Sequence, residues 1–158
     1  MHYYLNKLGI KDKDIYLQMD EDIIANHPEM QSETEKYGFP ACETWGLDSV
    51  ACAWLYEHLK MYLDVNCINL DFHKADIPVL VDNPSPDAGS VVNYEWVPYY
   101  IEETRTMTQG EAIELCCSYL EDHLKTINST SIEDEGRGTQ KAQCAFKIFA
   151  VVLPMMWW

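Results

Sequence analysis

From Thr44 onward, Leu47, Val50, Ala51, Trp54, Leu55, His58, Leu59 and Tyr62 recur at three- and four-residue steps. Positions spaced in this way fall on one side of a 3.6-residue turn, which predicts an amphipathic helix over residues 46–63. Asp48 near its start and Lys60 near its end suit the helix dipole. A second helix is announced by Thr108, Gln109, Gly110 and Glu111, the spacing of a capping box. There the Thr hydroxyl accepts from a backbone N–H and the Glu carboxylate reaches back to the cap residue. Ala112, Ile113, Cys116, Tyr119, Leu120, His123, Leu124 and Ile127 make its apolar face, and Glu114, Glu121, Asp122 and Lys125 are left toward water. Asn128 and Ser129 end it. A third helix is predicted over about 139–153, where Ala142, Ala145, Phe146, Phe149, Ala150 and Leu153 keep helical spacing until Pro154 stops it. Ser131 to Gly138, with Glu133, Asp134 and Glu135 ahead of Gly136 and Gly138, reads as a mobile surface loop.

The remaining segments are less regular. The first forty residues mix short apolar pairs with polar runs and predict one or two short helices before a loop at Gly38, Phe39 and Pro40. Residues 65–100 change character: a short alternating stretch from Asn66 to His73 and an apolar run from Ile77 to Val81 lead into Asn83, Pro84, Ser85, Pro86, Asp87, Ala88 and Gly89. With two prolines about the turn and no strict two-residue period, an irregular segment or a small two-stranded hairpin is expected there. The expected fold is mainly α: a compact bundle of three strong helices, short N-terminal helices and an insertion at about 65–100, in a single domain covering 1–158.

Composition changes this picture little until charge is mapped. The chain has 158 residues, 47% hydrophobic and 23% charged, which suits a globular domain able to bury a core without metal or disulfide staples. Its formal charge of -15 is uneven, because residues 76–136 carry thirteen acids against only Arg105 and Lys125. Residues 137–158 reverse the sign, with Arg137, Lys141 and Lys147 and no acid. Direct nucleic-acid binding needs clustered Lys and Arg to neutralise phosphates, and that clustering is lacking. The acidic middle instead suits attraction to a basic protein surface, although acidity also serves solubility alone.

The start of the chain has no basic region followed by an apolar stretch and a small-residue cleavage site. No apolar run approaches the roughly 18–20 residues that span a bilayer. A cytoplasmic, non-membrane protein with reduced thiols is therefore expected. Of six cysteines (Cys42, Cys52, Cys67, Cys116, Cys117 and Cys144), Cys116 falls on the apolar face of a predicted helix and Cys52 and Cys144 lie beside such faces, where a thiol behaves as a small hydrophobe.

Candidate chemistry is sparse. His58 and His123 lie on the two helical stripes, yet no Cys-x-x-Cys, His-x-x-x-His or Glu-x-x-His spacing sets two metal ligands on one face. Cys116 and Cys117 diverge by about 100° on a helix. Paired acids at Glu102 and Glu103, Glu121 and Asp122, and Glu133 to Glu135 are neighbours that point apart or lie in loops. Phosphate-binding glycine loops and a Gly-x-Ser-x-Gly elbow are lacking. No catalytic residue, metal or cofactor is expected. Tyr3, Tyr4, Trp45, Trp54, Trp96, Tyr99, Tyr100, Trp157 and Trp158 exceed what space filling needs, and the terminal pair is expected to dock on the body.

Glu43, Thr44, Trp45, Gly46, Leu47 and Asp48, with the helix that follows to Tyr62, resemble a motif in small uncharacterised phage and prophage proteins. Those proteins end in an apolar helix closed by Leu-Trp-Trp-like residues, here Leu153 to Trp158, from which Pro154, Met155 and Met156 depart. The resemblance implies a mobile-element origin and a packing unit in which Trp45 and the terminal tryptophans meet, and it carries no activity. The leading expectation is a non-enzymatic binding protein whose site is Glu102, Glu103, Glu121, Asp122, Tyr99, Tyr100 and Trp96. The sharper form is an inhibitor of a host nucleic-acid-handling defence protein, its carboxylates occupying a groove whose Lys and Arg otherwise meet phosphates. The competing classes are a small metal-dependent or Cys/His enzyme using His58 and His123, and a self-associating structural accessory protein.

Overall fold

The computed structural model describes residues 3–15, 28–38, 46–65, 70–71 and 73–156. They are mainly helical, with two small two-stranded antiparallel sheets. The chain groups into two compact units, Met1–Glu57 and His58–Trp158.

In the first unit, α1 (Tyr3–Lys7), α2 (Asp12–Ile15) and α3 (Pro28–Tyr37) precede α4 (Leu47–Val65), whose residues from His58 belong to the second unit. Leu5, Ile10 and Ile15 are buried, and the Leu5 N–H donates to Glu57 Oε1 at 2.7 Å. That bond satisfies a backbone donor in the first turn of α1, which the helix itself leaves open. α4 matches its predicted span, but its buried stripe is Cys52, Leu55, Tyr56 and Leu59, with Ala53 beside it. The expected stripe shares only Leu55 and Leu59 with it, while Leu47, Trp54 and His58 are exposed. A helix apolar around most of its circumference offers two stripes of equal period, and periodicity cannot choose between them.

The second unit is built on β1 (Lys74–Asp82), β2 (Val91–Val92), β3 (Glu95–Trp96), β4 (Tyr100–Thr108), α5 (Gln109–Thr126) and α6 (Ile132–Val152), closed by a 3₁₀ turn at Leu153–Met155. β1 and β4 pair antiparallel over nine residues each, from Lys74 opposite Thr108 to Asp82 opposite Tyr100. This sheet is longer than the expected hairpin and extends past residue 100. β4 escaped notice because Ile101 to Thr106 are all exposed, so no buried face imprints an alternation.

α5 begins as expected: the Thr108 side chain accepts from Glu111 N–H at 3.2 Å, and Glu111 Oε2 accepts from Thr108 N–H at 2.8 Å. Those bonds hold the Glu111 carboxyl below its ordinary pKa. Its predicted apolar face is buried from Ala112 to Leu124, packed chiefly on α6.

α6 starts seven residues earlier than predicted, and the expected mobile loop is its first two turns. Ser131 caps it by accepting from Asp134 N–H at 3.2 Å, and Glu133, Asp134 and Glu135 face the positive end of the dipole. Gly138 is needed for close packing, since a Cβ there would lie 2.6 Å from Thr126 Oγ1 and 3.3 Å from His123 Cα. Leu59, Ile77, Val79, Ile113, Leu120, Leu124, Ala145, Ile148 and Val152 are among the buried apolar side chains of this unit. Each Leu, Ile or Val taken fully out of water is worth about 1.5–3 kcal/mol. Among the described residues, no helix is long and apolar enough to cross a membrane.

Candidate protein-interaction site

Residues 83–99 form an ordered projection whose backbone groups are paired within itself. The N–H of Asn83 donates to Tyr99 O at 2.9 Å, Gly89 N–H to Val97 O at 2.7 Å and Val97 N–H to Ser90 O at 2.8 Å. Asn83 Nδ2 reaches Pro98 O at 2.7 Å, while its Oδ1 accepts from Ser85 N–H at 3.0 Å. At the tip, β2 and β3 are joined by Asn93 and Tyr94, with φ of 51° and 67°. Two successive left-handed residues in a two-residue loop match a type I′ turn, whose twist suits a hairpin. Asn tolerates that region, but a tyrosine there costs about 1–2 kcal/mol. No packing offsets it, because Tyr94 is 102% exposed.

Tyr99 locks the base of this projection to α6. Its ring lies where a Cβ on Gly89 or Gly136 would be; at Gly136 the separation would be 2.6 Å. Trp96 meets the ring edge-on at 5.7 Å, and the Arg137 guanidinium lies 4.9 Å from its centroid and 5.3 Å from that of Tyr100. Arg137 is itself held by Glu133 at 2.9 Å and Asp82 at 3.4 Å. Gln140 Oε1 accepts from both Tyr99 N–H at 2.7 Å and Tyr100 N–H at 3.2 Å.

Beside this lock lies an open groove of about 470 Å³, lined by Trp96, Ile132, Glu135, Gly136, Thr139, Gln140 and Gln143. Of its lining, Trp96 and Ile132 are exposed apolar side chains and Glu135 is an exposed carboxylate; Val91, paired with Trp96, and Tyr94 at the turn are exposed as well. An aromatic and aliphatic centre with an acidic rim is the anatomy of a protein-binding patch.

Of the residues singled out from sequence, Trp96, Tyr99 and Tyr100 are brought together here. Tyr99 is buried as a support and Trp96 is half-exposed as a contact. The four acids lie outside this cluster, Glu102 and Glu103 further along β4 and Glu121 and Asp122 on α5, each beside a cation: Glu102 pairs with Lys147, Glu103 with Arg105 at 3.6 Å, Glu121 with Lys125 at 2.5 Å and Asp122 with Lys141. Lys141 also lies 5.6 Å from the Tyr100 ring, which ties Asp122 to the edge of the aromatic cluster. Ile132, Glu135 and Arg137 are not in the expected set because residues 131–138 read as loop, and Gln140 is a polar position of the predicted third helix that nothing in the sequence singles out. Tyr94 lies in the same aromatic segment, and nothing in the sequence marks it as the exposed ring at a turn. Trp45, Trp157, Trp158, Cys42 and Cys67 lie outside the described residues.

No family model, curated protein or solved structure matches the chain. Among the described residues, no group of three or more His, Cys, Asp and Glu is arranged to hold a metal ion. His123 is buried and His58 exposed. Cys52, Cys116, Cys117 and Cys144 are free, buried thiols, and Cys116 Sγ donates to Ala145 O at 3.2 Å. Burial pushes the Cys52 and Cys117 thiols up to about 12 and Cys144 up to about 11. These groups therefore behave as core, not as nucleophiles.

Because the folded pKa lies above the unfolded one, the thiols add stability that is complete below about pH 8.5 and lost as pH rises toward 12. Iodoacetamide at pH 8 is expected to leave Cys52, Cys117 and Cys144 unlabelled in the native chain, as read by peptide mass mapping. The unfolding free energy is expected to fall from pH 9 upward. Rapid native labelling of all three would refute this burial.

Proposed function

We propose that this chain is a non-enzymatic binding protein that grips a basic surface of a partner protein with the β2–β3 hairpin and the first turns of α6. The observation that carries the reading is Tyr94, fully exposed and in a strained left-handed turn, on a hairpin clamped rigidly through Tyr99. Strain kept where nothing packs against the ring is accounted for by presentation of that ring to a partner. Trp96, Val91 and Ile132 enlarge the contact, and the fixed base limits the ordering cost of binding. Glu135 supplies the local rim. Glu102, Glu103, Glu121 and Asp122 extend the acidic surface at longer range, partly compensated by their lysine and arginine neighbours. In this reading the long helices serve as a bundle-like scaffold for the projection.

The sharper form of the proposal is a cytoplasmic inhibitor of phage or mobile-element origin that covers the phosphate-binding groove of a host nucleic-acid-handling protein. The excess of acids over residues 76–136 and the phage-protein resemblance of the Thr44–Tyr62 segment support it. The test is capture from host extract by the full chain and by a Tyr94→Ser/Trp96→Ser variant, with mass-spectrometric identification. A basic protein held by the native chain and lost by the variant is the expected result. Identical capture by both would remove the hairpin from the reading.

A further inference from the structure

We propose that β4 is a self-association edge, through which two copies of this chain pair as antiparallel strands about a two-fold axis centred on Thr104. This inference is independent of the hairpin reading.

Backbone parity comes first. Leu80 N–H donates to the Tyr119 hydroxyl at 2.9 Å, Pro78 O accepts from Cys144 Sγ at 3.5 Å, and Pro78 itself has no N–H. Even-numbered residues of β1 therefore turn their polar groups away from β4, toward α5 and α6. The ladder between the strands then runs through the odd-numbered positions: Ile77 with Arg105, Val79 with Glu103 and Val81 with Ile101. By the same register, Glu102, Thr104 and Thr106 of β4 point their N–H and C=O groups outward. Among the described residues, no hydrogen bond reaches those backbone groups. At Tyr100, by contrast, the outward N–H is already taken by Gln140.

The edge is also only lightly covered. α6 packs chiefly on β1 and meets β4 through side chains at Tyr100 (Arg137, Gln140, Lys141) and at Glu102 (Lys147), and Ile101 to Thr106 are exposed. Edge strands are ordinarily blunted by proline, a bulge, shortness, a covering element or charged side chains, lysine above all, and the charges of β4 (Glu102, Glu103, Arg105) are of both signs, so a second copy can pair them. β4 has nine residues, an unbroken register, and neither proline nor lysine.

Charge then selects both the occupant and the register. An antiparallel copy must bring even-numbered positions opposite even-numbered positions for the outward groups to meet. Centred on Thr104, the pairing sets Glu102 opposite Thr106 of the second copy and Thr104 opposite itself. Between them, Glu103 meets Arg105 and Ile101 meets Met107, each twice by symmetry. These last pairs fall at the non-hydrogen-bonded sites, where facing side chains come closest. Sliding the register so that Glu103 faces Glu103, or Arg105 faces Arg105, replaces attraction with like-charge repulsion. The intrachain Glu103–Arg105 contact at 3.6 Å, with both side chains more than half exposed, is loose enough to be shared with the second copy. A contact limited to these few residues belongs to small, reversible interfaces, so the dimer should form at micromolar or higher concentration.

Sedimentation of the full chain from micromolar to millimolar concentration reads this directly. The mass is expected to rise from that of one chain toward twice that value. Thr104→Pro deletes an outward N–H without touching the β1 ladder, and should sediment as a monomer with an unchanged far-UV circular dichroism spectrum. Glu103→Arg sets Arg opposite Arg and should weaken pairing at least about tenfold, and the swap Glu103→Arg/Arg105→Glu should restore it. Should Thr104→Pro fail to fold, the single reversal and the swap decide the matter. A native chain that stays monomeric throughout, or a dimer indifferent to the charge reversal, would overturn the proposal.

Discussion

Tyr99→Ala is expected to lower the unfolding free energy by about 3 kcal/mol, which for a chain of this length is about 6–12 °C in the thermal midpoint. The ring fills space that Gly89 and Gly136 leave by lacking a Cβ, and Arg137 and Trp96 close over it. Alanine would empty that seat and leave the Arg137 guanidinium without one of its two aromatic faces. Tyr99→Phe keeps the ring and should cost less than about 1 kcal/mol. The two substitutions separate ring packing from hydroxyl chemistry, and differential scanning calorimetry reads both. Equal losses for alanine and phenylalanine would show that the ring is not what clamps the projection. Loss of the clamp should also free the tip, so that amide protection of Gly89 and Val97 falls in hydrogen exchange.

Leu120→Ala should cost still more, about 3–4 kcal/mol, and bring the midpoint down by about 6–16 °C. Leu120 is wholly buried on α5, the helix that packs chiefly on α6. That junction holds Gly138 against the Thr126 and His123 turn and a Cys116 Sγ bond to Ala145 O, so it has little freedom to collapse around a cavity. Leu120→Met, near in volume, should stay within about 1.5 kcal/mol. A denaturant titration with an unchanged slope and a shifted midpoint would be the expected signature. A Leu120→Ala midpoint equal to that of the native chain would mean that this helix pair does not form the core.

How much of this is legible in the sequence depends on whether a local rule has a unique physical outcome. The capping box at Thr108 and Glu111 admits one geometry, and both of its bonds are present. The α5 stripe was readable because its polar side is unambiguous, whereas α4 is apolar enough all round to hide which stripe is buried. β4 is an exposed edge strand, so only its β-branched residues Ile101, Thr104, Thr106 and Thr108 marked it, a weaker signal than alternation. Gly136 and Gly138 were read as helix breakers by their intrinsic cost of about 1 kcal/mol. Their role is instead to admit Tyr99 and the α5 backbone, a fact that exists only in three dimensions. Aromatic residues 96, 99 and 100 are neighbours in sequence and lie together about Arg137 in the fold. The division between Tyr99 as support and Tyr94 as contact required knowing which ring the two glycines enclose.

The role of the hairpin is tested most directly by titrating the affinity of the captured partner against salt, for the native chain and for Tyr94→Ser/Trp96→Ser. A basic surface met by an acidic rim should lose affinity steeply as salt rises, because exposed charges are screened within about 8 Å at physiological ionic strength. The double variant should bind at least about tenfold more weakly at every salt concentration, since exposed aromatic anchors carry a large share of binding energy. Affinity that ignores salt, or that survives removal of both rings, would contradict recognition through this hairpin.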